Sequence, residues 1–348
     1  METKIVTINS LDNLKDQLKE AADVVKSGGL VVFPTETVYG LGADATNSSA
    51  TSKIYMAKGR PSDNPLIIHI ADPKDVEKYA FANSLYYSLA EKFMPGPFTV
   101  VLPAKDTVPL KTRGGLDTVA VRCPENAIAR ELTRISGVPI AAPSANLSGS
   151  PSPTNVNHVI DDMLGRVDVI IDGGNSDFGL ESTIVKIDSE DSVTLLRPGK
   201  ITVENIEALG IRVNIANAVT ETLKSNERVI SPGMKYKHYA PKAPLSLIDG
   251  SADAMMLYVE QNSTGKVAVI AYEDDILEYN KRLPNADIYN FGKRGEESIQ
   301  AQLLFKILRD TDKKDYDAIY APLPGTTGIG LALYNRMIRA AAHKIIRL

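Results

Sequence analysis

Two cationic side chains flank a glycine at the start of the segment KGRPSDNPLIIHI. The first of them, Lys58, ends a predicted helix, and Pro61 and Pro65 stiffen the loop that follows. A rigid loop that presents an ammonium, a guanidinium and the Asn64 amide suits recognition of phosphate or carboxylate. Cations at a helix C-terminus can also simply complement the helix dipole. The stiffness of the loop favours ligand recognition for Lys58 and Arg60.

Other charged or titratable residues lie in or beside apolar runs that are typical of buried strands. His69 follows the run LII, and it could equally bind a ligand or be a satisfied core residue. Arg122 ends the predicted strand TVAVR, where Thr118 and Ala120 share its face. Since an unpaired buried charge is costly, Arg122 needs either an anionic ligand or an internal carboxylate. Arg113 precedes this strand on a glycine-softened turn.

Polar residues also follow the ends of other predicted strands. The segment PTETVYGLGADA leaves the first strand at its carboxyl end, where ligands bind in open α/β sheets. Its glycines, Gly40 and Gly42, would let a ligand approach the backbone, although a polar connection between a strand and a helix explains the segment as well. The segment APSANLSGSPSPT offers donors for phosphate oxygens. The candidates at strand ends are Thr35, Thr37, Tyr39, Ser144, Asn146, Ser148, Ser150, Ser152, Ser182, Thr183 and Arg197.

The motifs that are missing exclude several chemistries. The chain has no G-x-S-x-G elbow and only 4 histidines, which argues against a serine hydrolase. Neither a Walker loop nor a G-x-G-x-x-G fingerprint occurs. GTTGIG follows the last predicted strand of its domain, not the first, and is better explained as the start of the final helix. A single cysteine, Cys123, excludes an intramolecular disulfide and a cysteine-based zinc cluster and favours a reducing compartment.

The elements that position these side chains are those of a soluble α/β protein. The 348 residues are 43% hydrophobic and 24% charged, with a net charge of −4, and the length favours two domains. No apolar run approaches the roughly 20 residues of a membrane helix, and the first residues lack a signal-peptide core, so we expect a cytoplasmic protein. A pI near 5.7 argues against a surface coated for nucleic acid.

Three regions are predicted along the chain. Residues 1–212 should form one α/β domain with a helix over 11–27 and a large, twisted, mostly mixed sheet. Residues 213–243 should form a linker with a short polar helix over 217–228. From Leu245, regular alternation of strands and helices predicts a small, doubly wound parallel sheet in residues 244–348. The strands predicted before the linker are 30–33, 66–70, 98–102, 118–122, 138–142, 167–171, 182–187 and 193–196.

Taken in order, seven segments resemble the threonylcarbamoyl-AMP synthase family, whose catalytic unit is the YrdC-type domain. They are PTETVYGLG, KGRPSDNPLIIHI, MPGPFTVVL, VAVRCP, APSANLSGSPSPT, ESTIV and LRPG. The stretch SPGMKYKHYAP and the residues after it resemble the linker and appended domain of the family's long form. The resemblance implies a YrdC-like twisted mixed sheet and a small Rossmann-like C-terminal domain.

The resemblance also implies a reaction. L-threonine, bicarbonate (or carbon dioxide) and ATP would give threonylcarbamoyl-AMP and pyrophosphate, which is a nucleotidyltransferase activity. Mg²⁺ would bridge the ATP phosphates, with no protein ligand assigned to it and no organic cofactor. A separate tRNA threonylcarbamoyl transferase complex would use the product to modify an adenosine next to the anticodon, and direct tRNA binding by this chain would be weak or absent.

Family resemblance assigns roles to residues that match the motifs. Lys58 and Arg60 would be catalytic, because positioned positive charge must bring two anions together. Because water destroys the carbamate and the mixed anhydride, a lid is needed, and residues 231–241 with Tyr236 and His238 are the candidate. The expected ATP-binding residues are Lys58, Arg60, Asn64, Thr118, Ser144, Asn146, Ser152, Arg197 and Tyr236. The expected threonine-binding residues are Thr35, Thr37, His69, Arg122, Ser182 and the backbone at Ala142.

Three alternatives stay open at this point. The chain could be an RNA-binding module with a cationic concave surface, although 6% aromatic residues and no tryptophan leave few stacking platforms. It could be a maturation factor that forms carbamoyl-adenylate, but the expected zinc-finger cysteines and acylphosphatase-like part are missing. It could also be a non-catalytic regulator whose working part is the C-terminal domain.

Overall fold

The computed structural model of the chain describes residues 2–221 and 238–348. These residues form two compact units, one of residues 2–148 and 152–221 and the other of residues 149–151 and 238–348. The first unit includes a strand that crosses the predicted domain boundary after residue 212. In the described ranges, no helix has the length and apolar character needed to cross a bilayer.

Short strands and helices make up the first unit, and 3₁₀ turns occur at Pro73–Lys78 and Asn217–Val219. In chain order the elements are β1 (Lys4–Thr7), α1 (Leu14–Gln17), α2 (Lys19–Lys26), β2 (Val31–Phe33), β3 (Gly40–Asp44), α3 (Ser48–Lys58), β4 (Ile67–His69), α4 (Ser84–Phe93), β5 (Phe98–Pro103), β6 (Thr118–Arg122), α5 (Ala127–Ser136), β7 (Ile140–Ala141), α6 (Val156–Met163), β8 (Val169–Asp172), β9 (Thr183–Ile187), β10 (Ser192–Arg197), α7 (Val203–Glu207) and β11 (Arg212–Ile215).

The strands described in this unit form one sheet of mixed direction. Its order is β1-β8-β2-β3-β7-β4-β6-β5-β9-β10-β11. The pairs β4–β6 and β5–β9 are parallel, whereas β5–β6, β3–β7 and β4–β7 are antiparallel. Helices α2 and α5 pack apolar side chains such as Val25 and Leu132 onto β2 and β8. The mixed sheet and the strands predicted before the linker are confirmed, with shifts of one or two residues at several ends.

Two predictions in this unit are wrong. The helix expected over 11–27 is broken at Leu18, which ends α1 and precedes α2. The segment GLGAD, expected within a connection between a strand and a helix, is instead a buried strand, β3. A Cβ on Gly42 would lie 2.6 Å from Cγ2 of Ile140 and 2.7 Å from Cε1 of Phe33. The glycine is therefore needed because neighbouring strands pack closely there.

The second unit is a doubly wound sheet in which every described strand pair is parallel, as predicted. From one edge to the other, the strands are Asp287–Asn290, Val267–Ala271, Ala318–Pro322, Leu245–Asp249 and Ile345–Arg347. GTTGIG leads into the final helix, also as predicted. A 3₁₀ turn at Glu273–Asp275 precedes the second helix. The elements are β12 (Leu245–Asp249), α8 (Ala252–Asn262), β13 (Val267–Ala271), α9 (Ile276–Arg282), β14 (Asp287–Asn290), α10 (Glu297–Thr311), β15 (Ala318–Pro322), α11 (Gly328–Ala340) and β16 (Ile345–Arg347).

The linker prediction is only partly covered by the described residues. Where a polar helix was expected over 217–228, a short 3₁₀ turn occupies Asn217–Val219, and residues 222–228 lie outside the described residues. The lid residue Tyr236 lies outside them as well. At the other end of the linker, the Tyr239 ring stacks on Phe305 with centroids 5.1 Å apart, and the Arg336 guanidinium lies 5.9 Å from the Tyr239 centroid.

Candidate functional site

A row of polar side chains crosses the middle of the first sheet. His69 on β4 is in register with Arg122 on β6, and Arg122 is in register with Thr99 on β5. Residues in register on neighbouring strands point to the same face of a sheet. All three are buried on strands that are mostly apolar. One face of the sheet therefore concentrates a titratable ring, a guanidinium and a hydroxyl.

The row continues through hydrogen bonds to the next two strands. Oγ1 of Thr99 lies 2.8 Å from Oγ of Ser182, just before β9. Arg197, at the end of β10, donates from Nη2 to the Ser182 hydroxyl at 3.1 Å and from Nε to its carbonyl at 3.0 Å. The family resemblance assigned His69, Arg122 and Ser182 to threonine and Arg197 to ATP. In the structure, contacts that pass through Thr99 connect all four side chains.

Arg122 has an internal carboxylate partner. Its Nη2 donates to Oε1 of Glu36 at 2.7 Å, and its Nε lies 3.4 Å from the carbonyl of Gly96. Burial alone would raise the pKa of Glu36, but the Arg122 charge and hydrogen bond outweigh it and lower that pKa below its usual value. The internal salt bridge left open by the sequence is thus present. Nη1 of Arg122 makes no hydrogen bond to any described residue, so a donor stays available for a ligand carboxylate.

His69 is a neutral ring at neutral pH. Burial, reinforced by the nearby Arg122 charge, lowers its pKa to about 3. Its Nδ1 lies 3.2 Å from the Ile140 carbonyl, and its ring meets Phe33 edge-on at 6.0 Å. With Nδ1 donating to that carbonyl, Nε2 is an acceptor. His69 can therefore accept a hydrogen bond from a ligand N–H or O–H, but it cannot supply positive charge.

A second cluster forms where α3 ends. Gly59 adopts φ of +61°, which lets the chain reverse directly after Lys58. The Lys58 ammonium donates to the Ser144 carbonyl at 2.5 Å, to the Asn146 carbonyl at 2.6 Å and to Asn146 Oδ1 at 3.4 Å. Oγ of Ser144 also donates to Asn146 Oδ1 at 2.5 Å. Lys58 thus organises the hydroxyl-rich loop, and a phosphate oxygen could replace its longest contact.

The loop after Lys58 buries the side chains of Arg60 and Asn64. Nη2 of Arg60 lies 3.3 Å from the Pro65 carbonyl, and its guanidinium lies 5.8 Å from the centre of the Tyr55 ring. The Tyr55 hydroxyl donates to the Asn64 carbonyl at 3.0 Å. The Asn64 side chain is only 1% exposed, yet neither its Oδ1 nor its Nδ2 makes a hydrogen bond. An amide buried in this way points to a ligand that pairs with it.

The remaining predicted residues lie around these two clusters. Thr118 shares the face of β6 with Arg122, four residues away and hence about 13 Å along the strand. Oγ of Ser152 donates to Oε1 of Glu181 at 2.6 Å, beside Ser182 in the chain. The hydroxyl oxygens of Thr35 and Thr37 lie 2.8 Å apart, on either side of Glu36. The amide of Ala142 donates to the Ile67 carbonyl at 2.9 Å.

Sequence reasoning missed three residues of this site: Glu36, Thr99 and Glu181. The sequence indicates Glu36 only by its position between two threonines shortly after the predicted strand 30–33. Both threonines are buried in the structure. Thr99 is the lone hydroxyl in the apolar run FTVVL. The described residues contain no group of three histidine, cysteine, aspartate or glutamate side chains that could hold a metal ion.

Sequence comparisons place both units in known families. A family described as "Telomere recombination" (Sua5, YciO and YrdC) matches residues 23–199. A family described as "Threonylcarbamoyl-AMP synthase, C-terminal domain" matches residues 201–342. Both matches agree with the order of motifs in the sequence.

Two relatives that match this chain over nearly their whole length have the same name. Threonylcarbamoyl-AMP synthase of Bacillus subtilis is 42% identical over 100% of both chains. That of Pyrococcus abyssi is 41% identical over 98% of this chain and 99% of the relative. The crystal structure of P. abyssi Sua5 complexed with L-threonine superposes with a TM-score of 0.89 and 39% identity over 100% of both chains. The chain therefore belongs to the threonylcarbamoyl-AMP synthase family, in its form with a C-terminal domain.

Proposed function

We propose that this chain is an L-threonylcarbamoyladenylate synthase of the nucleotidyltransferase class. It joins L-threonine, bicarbonate and ATP to give threonylcarbamoyl-AMP, pyrophosphate and water. The observation that carries the proposal is the match over the whole of both chains to the P. abyssi structure complexed with L-threonine. The buried polar row of His69, Arg122, Thr99, Ser182 and Arg197 supports it, because this row offers complementary groups for an amino acid.

The row suits each polar part of threonine. The Nη1 donor of Arg122 is the natural partner of the carboxylate. His69, as a neutral acceptor, suits the amine or the hydroxyl. The Thr35, Thr37 and Ser182 hydroxyls and the backbone at Ala142 complete the expected contacts. The neutral state of His69 also avoids repulsion of an ammonium group, since its pKa is about 3.

The chemistry needs positioning more than a strong base. Bicarbonate takes up a proton and loses water to give carbon dioxide, and the threonine amine adds to the carbon dioxide and releases a proton to give a carbamate. A carbamate oxygen then attacks the α-phosphorus of ATP, and the bond to the β-phosphate oxygen breaks to release pyrophosphate. Both reactants are anions, so fixed positive charge from Lys58, Arg60 and Arg197 lowers the barrier. Asn64, Thr118, Ser144, Asn146 and Ser152 are the further proposed ATP contacts.

Mg²⁺ enters this proposal bound to ATP. Magnesium is usually held through substrate phosphates and waters with few protein ligands, and we assign no side chain to it. When bound, it neutralises phosphate charge. We also propose that residues 231–241, with Tyr236 and His238, close over the substrates and exclude water. Tyr236→Ala should then lower the yield of product per pyrophosphate released, and an unchanged yield would contradict the lid.

A direct assay tests the proposed function. The full chain is incubated with Mg·ATP, L-threonine and ¹³C-bicarbonate, pyrophosphate release is followed, and the adenylate is identified by mass spectrometry. We expect release to require both threonine and bicarbonate, with the label in the product. Serine should react less well by roughly 10- to 200-fold, because it lacks one methyl group in the pocket. Pyrophosphate release that does not depend on bicarbonate would refute the proposed reaction.

The product's destination is a further part of the proposal. We propose that a tRNA threonylcarbamoyl transferase complex consumes threonylcarbamoyl-AMP and that this chain itself binds tRNA weakly or not at all. Titration with tRNA at several salt concentrations tests the second statement. Tight binding without ATP and with a steep salt dependence, together with no adenylate formation, would favour the RNA-binding alternative instead.

A further inference from the structure

Two buried polar side chains lie without partners on loops that touch each other. Asn64 is 1% exposed and makes no hydrogen bond through either amide atom. Arg113 is 7% exposed, its Nε makes no hydrogen bond, and it forms no ion pair with any described residue. By contrast, the buried Arg122 has the Glu36 carboxylate. A buried guanidinium that lacks an internal anion calls for an anion from outside.

The two loops are fixed against each other by backbone contacts. The amide of Leu66 donates to the Thr112 carbonyl at 3.0 Å. Gly114 has φ of +59°, and a Cβ there would lie 2.9 Å from the nitrogen of Pro65 and 3.1 Å from the carbonyl oxygen of Asp63. The turn that carries Arg113 can approach the backbone on both sides of Asn64 this closely only because residue 114 is glycine.

We propose that Arg113 is a further phosphate-binding residue, which together with Asn64 holds the terminal phosphates of ATP and the pyrophosphate product. A guanidinium binds phosphate oxygens through two parallel N–H donors, and the amide adds a third donor. The inference rests on the proposed function, since ATP is the anion that this reaction brings to the loop. It also supplies an anion for Arg113, which is the buried arginine among the described residues of the first unit that the threonine and adenylate contacts above leave unused.

Three substitutions test the proposal. Arg113→Met removes the charge at similar length, Arg113→Lys keeps the charge but loses the planar fork, and Arg130→Met is the control. Arg130 is a half-buried arginine on α5 that lies 3.3 Å from the Ala71 carbonyl and has no place in the site. Calorimetry measures the binding of inorganic pyrophosphate with Mg²⁺ and, separately, of L-threonine. Kinetics measure KM for ATP and for bicarbonate, and thermal unfolding measures Tm without ligand.

We expect Arg113→Met to weaken pyrophosphate binding at least tenfold and to raise KM for ATP similarly, with the lysine variant between it and wild type. Threonine binding should stay within twofold. The Tm of Arg113→Met without ligand should equal or exceed that of wild type, because the substitution removes a buried charge that has no partner. The Arg130 control should match wild type in every measurement.

Several outcomes would overturn the inference. Unchanged pyrophosphate affinity in both Arg113 variants would do so, and a rise in KM for bicarbonate alone would assign Arg113 to that smaller anion. Equal losses of threonine and pyrophosphate binding together with a lower Tm would show a structural role. Failure of the proposed function is separate, because it would appear as a wild-type protein that binds pyrophosphate through Arg113 yet makes no threonylcarbamoyl-AMP.

Discussion

Replacement of Glu36 tests whether its ion pair with Arg122 holds the substrate site together. Both side chains are 6% exposed, and Oε1 lies 2.7 Å from Nη2. Removal of one partner from a buried pair leaves the other charge uncompensated and destabilises by about 3–5 kcal/mol. Glutamine keeps an oxygen that accepts the Nη2 hydrogen bond, so we expect Glu36→Gln to cost about 3 kcal/mol and Glu36→Ala about 5 kcal/mol.

The same ion pair predicts how the free energy of unfolding changes with pH. The pKa of Glu36 in the folded chain lies below its ordinary value of 4.5, because Arg122 outweighs the effect of burial. The stability that the pair contributes is therefore complete above pH 4.5 and is lost as the pH falls through the folded pKa. Glutamine cannot titrate, so the difference in unfolding free energy between wild type and Glu36→Gln should shrink below pH 4.5.

Hydrogen exchange on peptides of β6, measured at pH 7 and in acid, reports the stability of the first unit. The matched control is Asp191→Asn, which breaks an exposed pair with Arg212 at 3.0 Å and should change stability little. The reasoning fails if Glu36→Gln lies within about 0.5 kcal/mol of wild type at pH 7, the range of ordinary surface substitutions. It also fails if the difference does not shrink in acid.

Three further predictions follow from the site. The NMR signals of His69 should not titrate between pH 8 and 5, because its pKa is about 3; a midpoint near 6.5 would contradict its burial as a neutral ring. Lys58→Met should lower kcat/KM for ATP by roughly 10²–10³, the usual effect of losing one fixed donor. Lys53→Met is the control and should not, because the Lys53 ammonium donates to the Gly28 carbonyl, away from the site. Ser182→Ala removes the hydroxyl shared with Thr99 and Arg197 and should raise KM for threonine roughly 5- to 10-fold; an unchanged KM for threonine would contradict a role of this hydroxyl in the threonine site.

The sequence predicted the first sheet well where strands are apolar runs. Phe98–Pro103 and Thr118–Arg122 are central strands, and their hydrophobic residues identify them directly. The strands that were missed are short outer strands such as Lys4–Thr7, which is mostly exposed, and the glycine-containing Gly40–Asp44. In that last strand the glycines serve close packing, which a single sequence does not distinguish from a flexible loop.

The candidate site shows a similar limit. The sequence could state that Arg122 needs an anion, but the choice of Glu36 depends on a contact across 86 positions of the chain. The same holds for Thr99 and Ser182, which are 83 positions apart. Local patterns thus predict which side chains are unusual, whereas their partners depend on strand order in the folded sheet.

The single cysteine offers a practical opportunity. Cys123 is fully buried directly after Arg122, its Sγ lies 3.6 Å from the Ala71 carbonyl, and burial raises the pKa of its thiol to about 12. Thiol reagents act on exposed thiolates, so the native protein should give almost no background labelling. A cysteine introduced at an exposed position such as Met56, on the helix that ends at Lys58, would carry a fluorophore or spin label selectively, and its signal could then report, in real time, how that helix end responds as nucleotide and amino acid are added.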